Sequence, residues 1–118
     1  MTFEEFEKTV EAALKEIPKN YTDILEKNQI QVLARDKAPA KLKKDYKGQT
    51  VFGMFIGIPL GHFYNMAQEP TRIELYRESF ESFYSNKGEL KKQILMTVIH
   101  EIAHYFGFSE KEIRKLGY

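Results

Sequence analysis

The chain of 118 residues contains no cysteine. This absence excludes a disulfide framework and any thiolate metal site, so a metal ion here would need histidine and carboxylate ligands. The chain also lacks a surplus of one charge, because 18 Lys and Arg stand against 17 Asp and Glu and the net charge is +1. Without an overall basic field, neither nucleic acid nor an anionic membrane is an expected partner.

A long apolar run that could span a membrane is missing as well. The nearest approach, VFGMFIGIPLGHFYNMA at residues 51–67, is uncharged but is interrupted by glycines and by Pro59. It is at the short limit for crossing a bilayer, so we expect a buried strand followed by a turn. The N-terminal MTFEEFEKTVEAAL is acidic where a secretory signal is basic. These features predict a cytoplasmic protein that does not enter a membrane.

The apolar pattern predicts one α+β domain over residues 1–118. Apolar residues recur at helical spacing over residues 3–17, behind a capping box formed by Thr2 and Glu5. YTDILEK can form a short helical turn. The strand-like runs IQVLARD, TVFGMFIG and TRIELYR then predict a small mixed or antiparallel sheet of about three to four strands.

Two further segments complete the predicted fold. Residues 37–49, KAPAKLKKDYKGQ, have the lysine, proline and glycine content of an exposed loop. Residues 89–106 form a C-terminal amphipathic helix, which Gly107 ends. Ser109 and Glu112 then predict a second capping box and a short last helix. The expected fold is therefore a small sheet packed with an N-terminal and a C-terminal helix.

The C-terminal helix carries His-Glu-x-x-His at residues 100–104. Residues four apart lie one above the other on a helix, so His100 and His104 can offer both imidazoles to one metal ion, with Glu101 beside them. The composition of the chain makes such a motif a chance event in roughly one sequence in a hundred. Both histidines also lie opposite the apolar stripe, on the side where a cleft is expected.

Two ligands seldom suffice for a functional zinc site, so a third protein ligand is expected. Gly107 can adopt the left-handed conformation and fold the chain back after the helix. The residue three positions further on is Glu110, which makes it the best candidate, with Glu112 as the alternative.

These residues carry a resemblance to a known family. HEIAHYFGFSE fits the extended pattern His-Glu-x-x-His-x-x-Gly-x-x-(His/Asp), and the chain resembles the minimal-zincin family of small bacterial zinc metallopeptidases. The segments FEKTVEAALKEIP, GMFIGIPL, PTRIELY and EIRKLGY are similar to that family too. The resemblance thus extends over nearly the whole chain.

The resemblance implies a Zn²⁺ site formed by His100, His104 and Glu110, with Glu101 as general base. It implies an enzyme that hydrolyses the peptide bonds of a peptide or protein substrate with metal-activated water. Position 110 is usually aspartate in that family, and the side chain of Glu110 is one methylene longer than that of aspartate. The alternative is a non-catalytic metal-binding or peptide-binding domain with a relic zincin site. The sequence does not define the oligomeric state.

An oxyanion that forms during hydrolysis would need a further hydrogen-bond donor. The sequence does not choose among the chemically capable residues, which are His62, Tyr64, Arg72, Tyr76 and Tyr118.

Overall fold

A computed structural model of the chain describes residues 1–56, 71–105, 107 and 109–117. Its elements follow in the order α1 (Phe3–Lys15), α2 (Lys19–Lys27), β1 (Gln31–Arg35), α3 (Ala40–Asp45), β2 (Gly53–Ile56), β3 (Arg72–Tyr76), α4 (Arg77–Phe83), α5 (Lys87–Tyr105) and α6 (Glu110–Lys115).

The three strands form one mixed sheet in the order β1-β3-β2. β1 lies parallel to the central strand β3, whereas β2 lies antiparallel to it, with Gly53 opposite Leu75. In the described part of the chain, β2 pairs with β3 alone and is therefore an edge strand. The predicted α+β class and the small mixed sheet are confirmed.

α1 and α5 pack side by side on one face of the sheet. Ile73 and Leu75 of β3 project toward these helices and are fully buried. The amphipathic pattern of α1 predicts this arrangement, because its apolar stripe must face a core. The buried members of this core include Phe6, Val10, Ile73, Leu75, Phe80, Leu90, Ile94, Val98, Ile99 and Ile102.

Local sequence signals fix several helix ends as predicted. Thr2 and Glu5 form the capping box of α1, and Ser109 and Glu112 form that of α6, with both reciprocal hydrogen bonds present in each. Gly107 has a φ of 84°, which confirms the predicted left-handed turn after α5. The predicted chain reversal toward residue 110 therefore has the backbone conformation that it requires.

Two helices differ from the sequence-based expectation. The segment 37–49 is not a plain loop, because it contains α3, which follows Pro39 and ends before Tyr46. α4 follows β3 directly and was not expected, since RESFESF is too short for a clear helical period. Fully buried Phe80 anchors α4 to the core, so tertiary packing rather than local propensity explains this helix.

The membrane expectation concerns residues 51–67, of which 57–67 lie outside the described residues. Among the helices that the structure describes, none has the length and the apolar character that a bilayer crossing requires.

Candidate metal centre

One side of the helix α5 faces the core, and the other side faces a cleft. Val98, Ile99 and Ile102 are fully buried against the sheet and α1. Thr97, His100, Glu101 and His104 lie along the other side and line a cavity. The two sets follow from the 3.6-residue period of the helix, as the sequence predicts.

The cavity is a cleft of about 750 Å³ between α5 and the chain that leads into β2. Five consecutive residues, from Thr50 to Met54, form the wall opposite the motif. Tyr46, Gln49, Gln93 and Met96 complete the lining. The predicted base and the two predicted histidine ligands thus share one cleft with an edge strand, which is the arrangement a peptide-binding hydrolase needs.

The separation of the two histidines suits a shared metal ion with a small adjustment. Their ring centroids are 6.4 Å apart and the rings are inclined by 79°. Two imidazoles that bind one ion with Zn–N bonds of about 2.0–2.1 Å at a tetrahedral angle have centroids roughly 5 Å apart. The two separations differ by about 1 Å, and His104 lies on the exposed side of the helix. The donor set and the spacing therefore fit zinc.

Gly53 allows the edge strand to approach the motif helix closely. A Cβ atom at this position would lie 3.1 Å from Thr97 Cγ2 and 2.9 Å from the carbonyl oxygen of Glu74. Thr97 is one helical turn before Glu101, so this contact sets the width of the cleft beside the predicted base.

The third predicted ligand begins the last helix. Glu110 is the first residue of α6, directly after the capping residue Ser109. Its side chain lies outside the described part of the structure. Glu112, the alternative, accepts the amide hydrogen of Ser109 and the Ser109 hydroxyl, at 3.3 and 3.0 Å. This engagement in the cap argues against Glu112 as the ligand. Within the described residues, no three histidine or carboxylate side chains are gathered as a metal would require.

Two of the predicted oxyanion donors belong to another part of the molecule. Arg72 Nε donates to Glu74 at 2.9 Å and the Tyr76 hydroxyl donates to Glu74 at 3.2 Å, and neither residue lines the cleft. His62, Tyr64 and Tyr118 lie outside the described residues. Tyr46 does line the cleft and is 44% exposed. Nothing in the sequence marks Tyr46 as a cleft residue, because the lysine-rich segment around it predicts a solvated loop.

Glu74 is a buried carboxylate with three hydrogen-bond donors, since Arg35 Nε also reaches it at 3.3 Å. Burial raises the pKa of Glu74, but the hydrogen bonds from Arg72, Arg35 and Tyr76 lower it by more, so the pKa lies below its ordinary value. Burial, together with the neighbouring carboxylate, raises the pKa of Tyr76. Satisfied in this way, Glu74 stabilises the sheet.

The fold and the cleft together define a class of protein. A mixed sheet with an antiparallel edge strand, lying beside a helix that carries His-Glu-x-x-His, is the arrangement of a zincin-like domain. The family model for zincin-like metallopeptidases matches residues 27–118, more than three quarters of the chain, and the chain belongs to this family. The matched range begins after α1. No curated protein matches the chain.

Proposed function

We propose that the protein is a zinc-dependent peptidase whose metal ligands are His100, His104 and Glu110. Membership of the zincin-like metallopeptidases supports a metal-dependent hydrolase. The observation that carries the finer proposal is the shared cleft, in which His100, Glu101 and His104 face the residues that lead into the edge strand β2.

When bound, zinc supplies a Lewis acid that lowers the pKa of water toward about 7 and polarises a carbonyl group. Glu101 acts as the general base that accepts the proton of the attacking water, and it passes this proton to the departing amine. Glu101 is partly buried, lines the cleft and lies between the two histidines along the helix, which supports its role as the base for a carbonyl bound in that cleft.

The substrate is a peptide or protein segment in extended conformation. β2 has one paired side in the described structure, and its backbone contributes to the cleft wall. A peptide that adds to such an edge gains main-chain hydrogen bonds without sequence preference. Those bonds would hold the scissile carbonyl against α5.

Elemental analysis and peptide hydrolysis test this proposal. Protein purified without chelator is expected to contain zinc, and His104→Ala to contain little. If both contain equally little, the metal assignment is wrong. A peptide library is then incubated with the zinc-loaded protein and with Glu101→Gln, which keeps the size of the side chain but not the base. Hydrolysis by the parent chain alone supports the peptidase.

The same experiment separates the peptidase from the alternative function. Zinc content without hydrolysis of any library member would favour a non-catalytic metal-binding or peptide-binding domain. Equal hydrolysis by the parent and by Glu101→Gln would contradict the role of Glu101 as the base.

A further inference from the structure

We infer that Phe52 and Phe83 form a specificity subsite at one end of the cleft, which binds a large apolar side chain of the peptide. The inference rests on the proposed peptide-binding function of the cleft, and it names the chemistry that selects the peptide.

The subsite is built on an aromatic cluster that joins the core to the surface. The ring of Phe52 lies 5.2 Å from that of Phe80, which is fully buried, and 5.5 Å from that of Phe83 in an edge arrangement. Tyr84 lies 6.1 Å from Phe52 on the same side. The buried ring of Phe80 therefore holds the Phe52 ring in place, and a rigid aromatic surface binds a side chain at low entropic cost.

Phe83 is more exposed than any other large apolar residue that the structure describes, at 61%. A single exposed apolar residue is ordinary in a soluble protein. Phe83 differs because its ring contacts Phe52, which lines the cleft. Phe83 is not itself among the cleft-lining residues, but its exposed ring lies directly against one of them and does not stand alone on the surface.

The position of the aromatic cluster along α5 gives its distance from the predicted catalytic and metal-binding residues. Phe52 contacts Tyr84 before α5 begins, Gly53 lies against Thr97, and Phe55 stacks on Tyr105 at the end of α5 with centroids 4.8 Å apart. The chain from Phe52 onward therefore runs along α5 in the direction of that helix.

The level midway between the two histidines lies about 7.5 Å beyond Thr97 along the axis of α5, at 1.5 Å per residue. Phe52 lies one strand residue before Gly53, so its separation from that level is roughly 10 Å. An extended peptide covers this distance with about three residues, so the selected side chain lies that far from the bond placed at Glu101.

The charge of the lining defines the chemical class of that side chain. Apart from His100, Glu101, His104 and the phenol of Tyr46, the described lining residues carry no ionisable group. A charged side chain would find no opposite charge at the Phe52 end and would lose hydration there. A phenylalanine or leucine side chain would instead bury apolar surface against two rings.

Binding to the full chain carrying Glu101→Gln tests the subsite without requiring hydrolysis. The probes are two fluorescein-labelled heptapeptides of glycine, serine and alanine that differ only in a central Phe or Gln. We expect the Phe peptide to bind about tenfold more tightly by fluorescence anisotropy. Adding Phe83→Ser is expected to reduce that preference to less than about threefold, whereas Phe83→Leu retains most of it.

A matched control is Leu116→Ser, which removes an apolar side chain of similar exposure, 55%, at the C-cap of α6. It is expected to leave the preference unchanged. Equal affinity for the two peptides, no binding of either, or a preference that persists in Phe83→Ser would each overturn the subsite.

Hydrolysis by the parent chain adds an independent readout. Cleavage products of a peptide library should show Phe or Leu about three residues from the cut. Phe83→Ser should lose that enrichment. Selective binding without hydrolysis would refute the peptidase and keep the subsite. Hydrolysis without the enrichment would refute the subsite and keep the peptidase.

Discussion

Gly53 of β2 and Thr97 of α5 lie against each other at the cleft wall: a Cβ atom on the glycine would lie 3.1 Å from the threonine Cγ2. The same atom would lie 2.9 Å from the backbone oxygen of Glu74, which cannot rotate away. A glycine is therefore required for the edge strand to lie this close to the motif helix.

Replacing Gly53 by alanine should destabilise the protein by about 1–3 kcal/mol, because the added methyl group overpacks the contact between β2, β3 and α5. Urea unfolding measures the loss. Thr97→Ser removes Cγ2 and keeps the hydroxyl that donates to the Gln93 carbonyl at 2.8 Å. Part of the loss should therefore be recovered in the double variant Gly53→Ala/Thr97→Ser.

Gly88→Ala is the matched control for this substitution. Gly88 lies in the first turn of α5, and a Cβ atom there would lie 3.3 Å from Asn86 Oδ1, a side-chain atom that accepts the amide hydrogen of Glu89. Alanine is the better helix former, so Gly88→Ala should be neutral or stabilising. A loss as large as that of Gly53→Ala would show that glycine replacement in general, and not the Thr97 contact, accounts for the effect.

Acid should weaken the fold through Glu74. The folded-state pKa of Glu74 is lowered, so its contribution to stability is present above the ordinary value of 4.5 and is lost as the pH falls through the folded-state value. The free energy of unfolding should fall below about pH 4.5, and Glu74→Gln should flatten that part of the curve. At pH 7 the substitution should cost about 1–3 kcal/mol, because a buried charged network loses its carboxylate.

Glu78→Gln provides the comparison for Glu74→Gln. The Glu78 side chain is 48% exposed, and its partners are Lys43 at 3.4 Å and Lys37 at 3.8 Å. Exposed pairs of this kind contribute at most about 1 kcal/mol, and salt screens them. If Glu78→Gln reduces the acid-induced fall in the free energy of unfolding as strongly as Glu74→Gln does, burial of Glu74 is not the cause of the pH dependence.

The sequence predicted those features that depend on local signals. The capping boxes at Thr2 and Ser109, the left-handed Gly107 and the two-sided pattern of α5 follow from spacing alone, and the structure has them. The close contact of Gly53 with Thr97 could not be predicted, since it joins residues 44 positions apart. For the same reason Tyr46 was missed, because only the fold brings its segment to the cleft.

The left-handed turn at Gly107 should matter for zinc and not only for stability. Gly107→Ala and Gly117→Ala both place a Cβ at a positive φ, 84° and 94°, with no other atom within 4 Å. Each should cost about 1–2 kcal/mol from backbone strain. Competition with a chromophoric chelator should show weaker zinc binding for Gly107→Ala alone, since Gly107 directs the chain toward Glu110. Equal zinc affinities for the two variants would show that the turn at Gly107 does not contribute to zinc binding.

Zinc should stabilise the folded chain through His100 and His104. A ligand at one hundred times its dissociation constant stabilises the folded state by about 2.7 kcal/mol. Thermal unfolding at that zinc concentration should therefore shift upward for the parent chain, and hardly at all for His100→Ala or His104→Ala. Magnesium, which prefers oxygen ligands, serves as the control ion. An equal shift with magnesium, or in the histidine variants, would contradict binding by the imidazoles.

Glu110 and Glu112 can be separated because only one of them is used in the helix cap. Glu112→Ala should lose the capping box and cost about 1 kcal/mol, with zinc affinity unchanged. Glu110→Ala should leave that cap intact and weaken zinc binding by more than the roughly 10–100-fold that loss of an outer partner costs. Glu110→Asp, with the aspartate of the resembling family, should still bind zinc. If Glu112→Ala weakens zinc binding and Glu110→Ala does not, the third ligand is Glu112, and the chain after Gly107 reaches the metal from the third residue of α6 rather than from its first.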